Sequence, residues 1–457
     1  MSQTPPQTLF APLALLPGAW SRDLRVTIEA GRIARLETDA VPAPGDRILA
    51  GRALLPALTN LHSHTFQRAM AGMTERRGPT ADSFWTWRRL MYAFLDHLRP
   101  EQVEAIAALA FVEMLESGFA AVAEFHYLHH QPGGVAYADP AELAHRVAAA
   151  AEAAGIGLTL LPVLYSYGGA GRAPLAGGQQ RFGCDPDRFL ALCEAIRLGA
   201  PDAVLGTAPH SLRATEPGEL RAVLAARPAG PLHIHAAEQT EEVAQIEAWL
   251  GARPVDYLLG EIGLDPRWCL IHATQMTLAE TRGLAGSGAV AGLCPLTEAS
   301  LGDGIFNGPD YLAAGGRFGV GSDSNIEIGA AAELKQLEYS QRLRDRARNV
   351  LADAGGSTGE RLHAAALAGG AQALGRESGA IRVGAWADLM TLERDHLSLA
   401  ALRPDQLIDG WVFTGARGAV REVWSAGRAV VEDGRHVARD RVEAGWRRAM
   451  AELGALI

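Results

Sequence analysis

Cysteine is scarce in this chain. Cys184, Cys193, Cys269 and Cys294 are the four in 457 residues, and no two of them form a CxxC pair. That sparseness excludes a disulfide-stapled secreted module and predicts reduced, mostly buried thiols in a cytosolic protein. Positive charge is in deficit as well. Lys and Arg total 42 against 52 Asp and Glu, a formal net charge of −10, so neither a nucleic-acid surface nor an anionic-membrane surface is expected. No apolar run is long and unbroken enough to span a bilayer. The stretch Leu13–Leu16 is cut short by Pro17 and Gly18 and has no basic segment before it, so a signal peptide is not expected either. The expectation is a soluble, cytoplasmic chain.

The composition that remains, 48% hydrophobic and 21% charged, is that of a globular protein. A chain of 457 residues exceeds one small core and suits a large barrel with a satellite domain. Both ends read as short strands. Leu24–Ile28 and Ile33–Leu36 alternate around the turn Glu29–Arg32. Ala387–Leu392, Trp411–Phe413 and Val420–Trp424 behave alike, the last followed by the turn Ser425–Arg428 and the run Ala429–Val431. We expect residues 1–53 and 379–457 to build one small β-sandwich from both termini, the latter segment ending in a helix.

Residues 54–378 alternate apolar strand candidates with helical stretches. The strand candidates are Leu54–Leu61, Ala120–Phe125, Gly157–Leu164, Val204–Ala208, Leu232–His235, Cys269–His272, Val290–Leu293 and Phe318–Gly321. Ala148–Ala154 and Ala364–Ala373 are helix formers between them. Eight strands with helical spacers predict an α/β fold, a (β/α)8 TIM barrel.

Function in such a barrel collects at the C-terminal ends of the strands. Strand 1 runs into His62 and His64, strand 4 into His210, strand 5 into His233 and His235, strand 6 into His272, and strand 8 into Asp323. Residues two apart on a strand share a face, so His62 and His64 can converge on one ion. Three imidazoles and a carboxylate suit zinc with a position left for water. We therefore expect one divalent metal ion, most naturally Zn2+, on His62, His64, His235 and Asp323. His233, one layer deeper, reads as a packed neighbour.

This pattern, with Glu238 three residues after His235, resembles the deaminase subgroup of the amidohydrolase superfamily. No lysine ends strand 4, where binuclear members carry a bridging one, which favours a mononuclear site. Within the subgroup, the stretches Asn60–Gly72, Ser83–Arg88, Ala123–Tyr127, His210–Ala214 and Thr297–Gly304 resemble the formimidoylglutamate deiminases. The resemblance covers nearly the whole chain. It implies zinc-dependent hydrolysis of N-formimino-L-glutamate to N-formyl-L-glutamate and ammonia in histidine degradation, and a homodimer. It also implies Glu238, His272 and Asp323 as catalytic residues and Gln67, Arg88, Tyr127, His210 and Arg213 as substrate contacts. A small dicarboxylate needs a local positive field in an acidic protein, and two arginines can each clamp a carboxylate bidentately. Arg88 is expected on a helix capped by Asp82 or Ser83. Asn325 departs from a histidine common in that family and is expected at the rim. A deaminase or hydrolase of guanine, pterin or triazine rings is the alternative, and a non-catalytic metal- or ligand-binding barrel a remoter one.

Overall fold

The computed structural model describes residues 6–75, 77 and 84–454. Eight parallel strands form the centre: β1 (Leu58–Ser63), β2 (Phe119–His126), β3 (Gly157–Leu164), β4 in two short pieces (Val204–Leu205 and Ala208–Pro209), β5 (Leu232–Ala236), β6 (Trp268–His272), β7 (Val290–Leu293) and β8 (Arg317–Val320). Continuous ladders join β1 to β4 and β5 to β8. Parallel bridges Thr207↔Leu232 and Ser211↔His235 connect the halves on one side, and Ser63↔Asp323 connects them on the other. The result is a closed (β/α)8 barrel. Every residue of β1, β2 and β3 is buried, as expected of parallel strands packed on both faces. Helix Thr358–Leu374 sits directly on β1 and β8. A Cβ on its Gly370 would lie 2.1 Å from Thr59 Oγ1, and one on Gly369 2.0 Å from the Phe318 carbonyl oxygen. Only glycine permits that approach.

The chain ends meet in one nine-stranded sheet. Strand Arg52–Pro56 is its junction, parallel to Gln7–Leu16 and antiparallel to Leu389–Glu393. The sheet closes over its own small core, which includes Leu24, Val26, Ile28, Leu54, Ile381 and Trp424. Two readings of local pattern change. The run Leu54–Leu61 is two strands in different sheets. Pro56 has no N–H with which to continue a ladder, and beyond it the Ala57 N–H donates to Asp388 while the Leu58 N–H donates to Gly118. Trp411–Phe413 is the end of a helix, Leu407–Phe413. Buried Leu407, Ile408, Trp411 and Val412 recur at helical spacing, a period that three residues alone conceal.

A buried ionic cluster ties barrel to sheet. Arg376 Nε and Nη2 donate to Asp388 Oδ2 and Asp202 Oδ2 at 2.7 and 3.0 Å, and Arg428 Nη1 donates to Asp202 Oδ1 at 2.8 Å. Burial alone would raise the Asp202 pKa; Arg428 and Arg376 hold it below the ordinary value. Replacing Arg376 by Met strips the buried Asp388 carboxylate of this cation and leaves Asp202 to Arg428 alone. Urea denaturation is expected to show a loss of about 3–5 kcal/mol, and a loss under about 1 kcal/mol would make the cluster incidental.

Candidate metal centre and active site

Four side chains from β1, β5 and the end of β8 converge at the mouth of the barrel. The ligating atoms of His62, His64, His235 and Asp323 lie within 4.8 Å of one another, all buried. His62 Nε2 is 3.2 Å from His64 Nε2 and 3.1 Å from His235 Nε2. Asp323 Oδ1 is 3.2 Å from His64 Nε2 and 3.4 Å from His62 Nε2. The tautomers follow from the other ring nitrogens. His64 Nδ1 faces the Phe125 carbonyl and His235 Nδ1 the His210 carbonyl, each at 3.0 Å. A carbonyl can only accept, so Nδ1 carries the proton and the Nε2 lone pairs point inward. Burial lowers the pKa of all three imidazoles. The neighbouring rings lower those of His62 and His235 further, while Asp323 partly opposes the shift at His64. Neutral lone pairs and one carboxylate aimed at a common point fit a divalent cation and little else.

The loop carrying Asp323 is held from below. Asn60 Oδ1 accepts from the Ser322 N–H at 3.1 Å and Asn60 Nδ2 donates to Ser322 Oγ at 2.6 Å. Asn325, expected at the rim, is fully buried. Its Nδ2 reaches Ser63 Oγ, the His64 carbonyl and the Asp323 carbonyl at 3.2, 3.1 and 3.0 Å, and its Oδ1 accepts from Ser322 Oγ at 2.6 Å. It therefore binds the two ligand-bearing loops together. Asn325 also has φ 55°, a left-handed conformation that asparagine tolerates. Ala237 (51°), His272 (69°), Ala273 (50°) and Asp323 (45°) share that region. Such backbone strain clusters where side chains must be aimed.

Beside the cluster stand an acid and a base. Glu238 Oε1 is 3.9 Å from His272 Nε2, and its Oε2 is 3.7 Å from Arg213 Nη2. Its backbone N–H, with that of Ala237, donates to Glu242. Burial raises the Glu238 pKa against the pull of His272 and Arg213. His272 Nδ1 is 3.3 Å from Glu298 Oε1, and its Nε2 is 3.8 Å from Asp323 Oδ2. Burial disfavours charge on His272, but Glu238, Glu298 and Asp323 outweigh it and bring the pKa up to about 10. A dication in the neighbouring cluster would push that value back down.

His64, His235, Glu238, His272 and Asp323 line one cavity with all five expected substrate contacts, Gln67, Arg88, Tyr127, His210 and Arg213. Gln67 Nε2 donates to Tyr127 OH at 2.8 Å, and Gln67 Oε1 is buried with no hydrogen-bond partner among the described residues. Arg88 Nη2 donates to Tyr165 OH at 2.9 Å from helix Phe84–Leu95. The expected cap, Asp82 or Ser83, lies outside the described residues. His210 packs its ring 5.0 Å from that of His235 and 4.6 Å from that of Tyr165. His233 is buried away from the cluster with Nε2 on the Ala373 carbonyl at 2.7 Å. Sequence reasoning missed Tyr165, which follows β3, along with Trp87 and Phe182 on the cavity wall. It also gave Glu298 no role, though a carboxylate five residues after the end of β7 was the available signal.

The amidohydrolase family model matches residues 53–430, and the model described as "Formimidoylglutamate deiminase HutF, N-terminal domain" matches residues 7–50. A formimidoylglutamate deiminase of Pseudomonas aeruginosa is 50% identical over 97% of this chain and 99% of its own. A 5-methylthioadenosine/S-adenosylhomocysteine deaminase of Natronomonas pharaonis is 30% identical, with 86% of this chain and 84% of its own covered. The crystal structure of an amidohydrolase from Brucella melitensis superposes with a TM-score of 0.94 at 50% identity, covering 98% and 99% of the two chains.

If the cluster holds a divalent ion, that ion stabilises the fold by mass action, about 2.7 kcal/mol at a hundredfold excess over Kd. Zinc added to the metal-free chain is expected to raise its melting temperature, and His235→Ala to abolish both the rise and tight retention of the ion. An unchanged response in that variant would place the ion elsewhere.

Proposed function

We propose that this chain, which belongs to the amidohydrolase family, hydrolyses N-formimino-L-glutamate to N-formyl-L-glutamate and ammonia. One observation carries the reading beyond the resemblance: two arginines, Arg88 and Arg213, open into the same cavity as the His3Asp cluster and Glu238. A linear substrate with two carboxylates and a cationic formimino group matches that pairing. Guanine, pterin and triazine rings have no carboxylates for the arginines to hold.

In this reading His62, His64, His235 and Asp323 hold a single divalent cation, with zinc the natural choice for three imidazoles and a carboxylate. The same donors accept iron or manganese where those are more available. When bound, the cation supplies Lewis acidity, polarising the formimino carbon and bringing the pKa of a water toward about 7. The side chains do the rest. Arg88 and Arg213 take the two carboxylates, with Arg213 turning from Glu238 toward the substrate. Gln67 Oε1, oriented by Tyr127, accepts from the formimino N–H. His210 closes the wall beside it. Asp323 and His272 face the attacking water, one or the other takes a proton from it, and His272 stabilises charge as the tetrahedral carbon forms. Glu238 delivers a proton to the departing nitrogen, a task for which its raised pKa suits it. The C–N bond breaks, ammonia leaves, and the oxygen of water remains in the formyl group as its last proton passes to the Glu238 carboxylate.

Histidine degradation, a cytoplasmic location and a homodimer belong to the same reading. The resemblance and the four free, buried cysteines support it. Ammonia release is expected from N-formimino-L-glutamate well above that from N-formimino-L-aspartate or guanine. Turnover of guanine instead, or of neither formimino compound by zinc-loaded protein, would sink the assignment. Glu238→Gln is expected to retain metal and lose about 10²–10⁴-fold in kcat. Arg213→Ala should act mainly through KM, since a carboxylate clamp binds ground and transition states alike.

A further inference from the structure

A second set of ligating atoms lies just behind the first. A ring nitrogen of His272, the sulfur of Cys294 and a carboxylate oxygen of Glu298 are within 4.8 Å of one another, and all three residues are buried. The fold places them there by ordinary means. Cys294 follows β7 and precedes helix Pro295–Leu301, Glu298 lies one turn along that helix, and His272 ends the adjacent strand β6. Glu298 Oε1 is already central to the trio, accepting from the Cys294 N–H at 2.8 Å and facing His272 Nδ1 at 3.3 Å. Imidazole, thiol and carboxylate together are a zinc-type donor set, and the thiol makes it softer than the sulfur-free cluster next door.

The surroundings favour a cation. Burial, then Asp323, Glu298 and Glu333, keeps the Cys294 thiol neutral. The carboxylates that oppose a bare thiolate would attract a dication and so permit a metal-bound one. Glu333 reaches the same place from helix Ala330–Asp345, accepting the Leu296 N–H at 3.0 Å.

We propose that His272, Cys294 and Glu298 form a second, inhibitory site for a thiophilic divalent cation such as zinc or cobalt. Occupancy takes His272 Nδ1 away from Glu298 and blocks the nitrogen that imidazolium formation requires. His272 then cannot accept the proton of the attacking water. The inhibition rests on the role given to His272 above, whereas the binding does not.

Cobalt titrated into the metal-free full-length chain tests both. The first equivalent should bind without sulfur. The second should bring a thiolate-to-cobalt charge-transfer absorption, and ammonia release should fall by about a hundredfold, the contribution of one positioned acid–base group. Cys294→Ser should keep the first equivalent and basal activity while losing both the absorption and the inhibition. X-ray absorption of the zinc-loaded unaltered chain needs no variant. Sulfur should enter the metal's shell only beyond one equivalent. No sulfur at two equivalents, or a sulfur signal that survives Cys294→Ser, overturns the site; full activity with sulfur bound overturns the inhibition. Sulfur ligation is read without substrate and is therefore decided independently of the reaction.

Discussion

The architecture of the site depends on keeping three neutral imidazoles in a place where their lone pairs oppose one another. Two Nε2–Nε2 separations of 3.1–3.2 Å bring the ring nitrogens of His62, His64 and His235 to one point, where a cation would satisfy all three. The protein enforces them by fixing protons on the opposite edges. The Phe125 and His210 carbonyls hold the Nδ1–H groups of His64 and His235, and those carbonyls belong to the strand ends of a closed barrel. A flexible loop would turn the rings away. Left-handed backbone at Ala237, His272, Ala273 and Asp323 is part of the same enforcement.

Charge is arranged around that constraint. Buried carboxylates gather behind the cluster: Glu238, Asp303, Glu298 and Glu333. Burial first, and then Glu238, bring Asp303 up to about 8. Cations of the fold answer from the other side of the cavity, with Arg213 against Glu238 and Arg88 on Tyr165. An acidic chain can thus present a local positive field to an anionic molecule while keeping Glu238, Asp303 and Glu333 with raised pKa values around the His/Asp cluster.

Much of this was legible in the sequence, because strand ends and side-chain alternation are local properties. His62 and His64 share a face by spacing alone, and the convergence of His235 and Asp323 follows once eight strands are counted. Other features depend on contacts far along the chain. Asn325 reads as a rim residue because nothing beside it reveals that Ser63, His64 and Ser322 surround its amide. Tyr165 looks like any aromatic after a strand until Arg88, 77 residues away, is found on its hydroxyl. The break at Ala57 is hidden because both flanking strands are apolar and buried, so the pattern does not change where the sheet does. Trp411–Phe413 misleads for the converse reason, being too short a sample of a helical period.

The direct passage from Arg52–Pro56 into β1 has a consequence for biosynthesis. The strand that leads into His62 needs Leu389–Glu393 as its neighbour, and the ribosome makes that partner only after the whole barrel has emerged. At ordinary elongation rates the wait is on the order of tens of seconds. During it one edge of an apolar strand stands open, a state that invites pairing with other chains. The last strands to be synthesised thus complete the sheet beside the lead-in to β1, and a chain cut short before Leu389–Glu393 would keep His62 and His64 but leave Arg52–Pro56, the strand that runs into theirs, paired on one edge only.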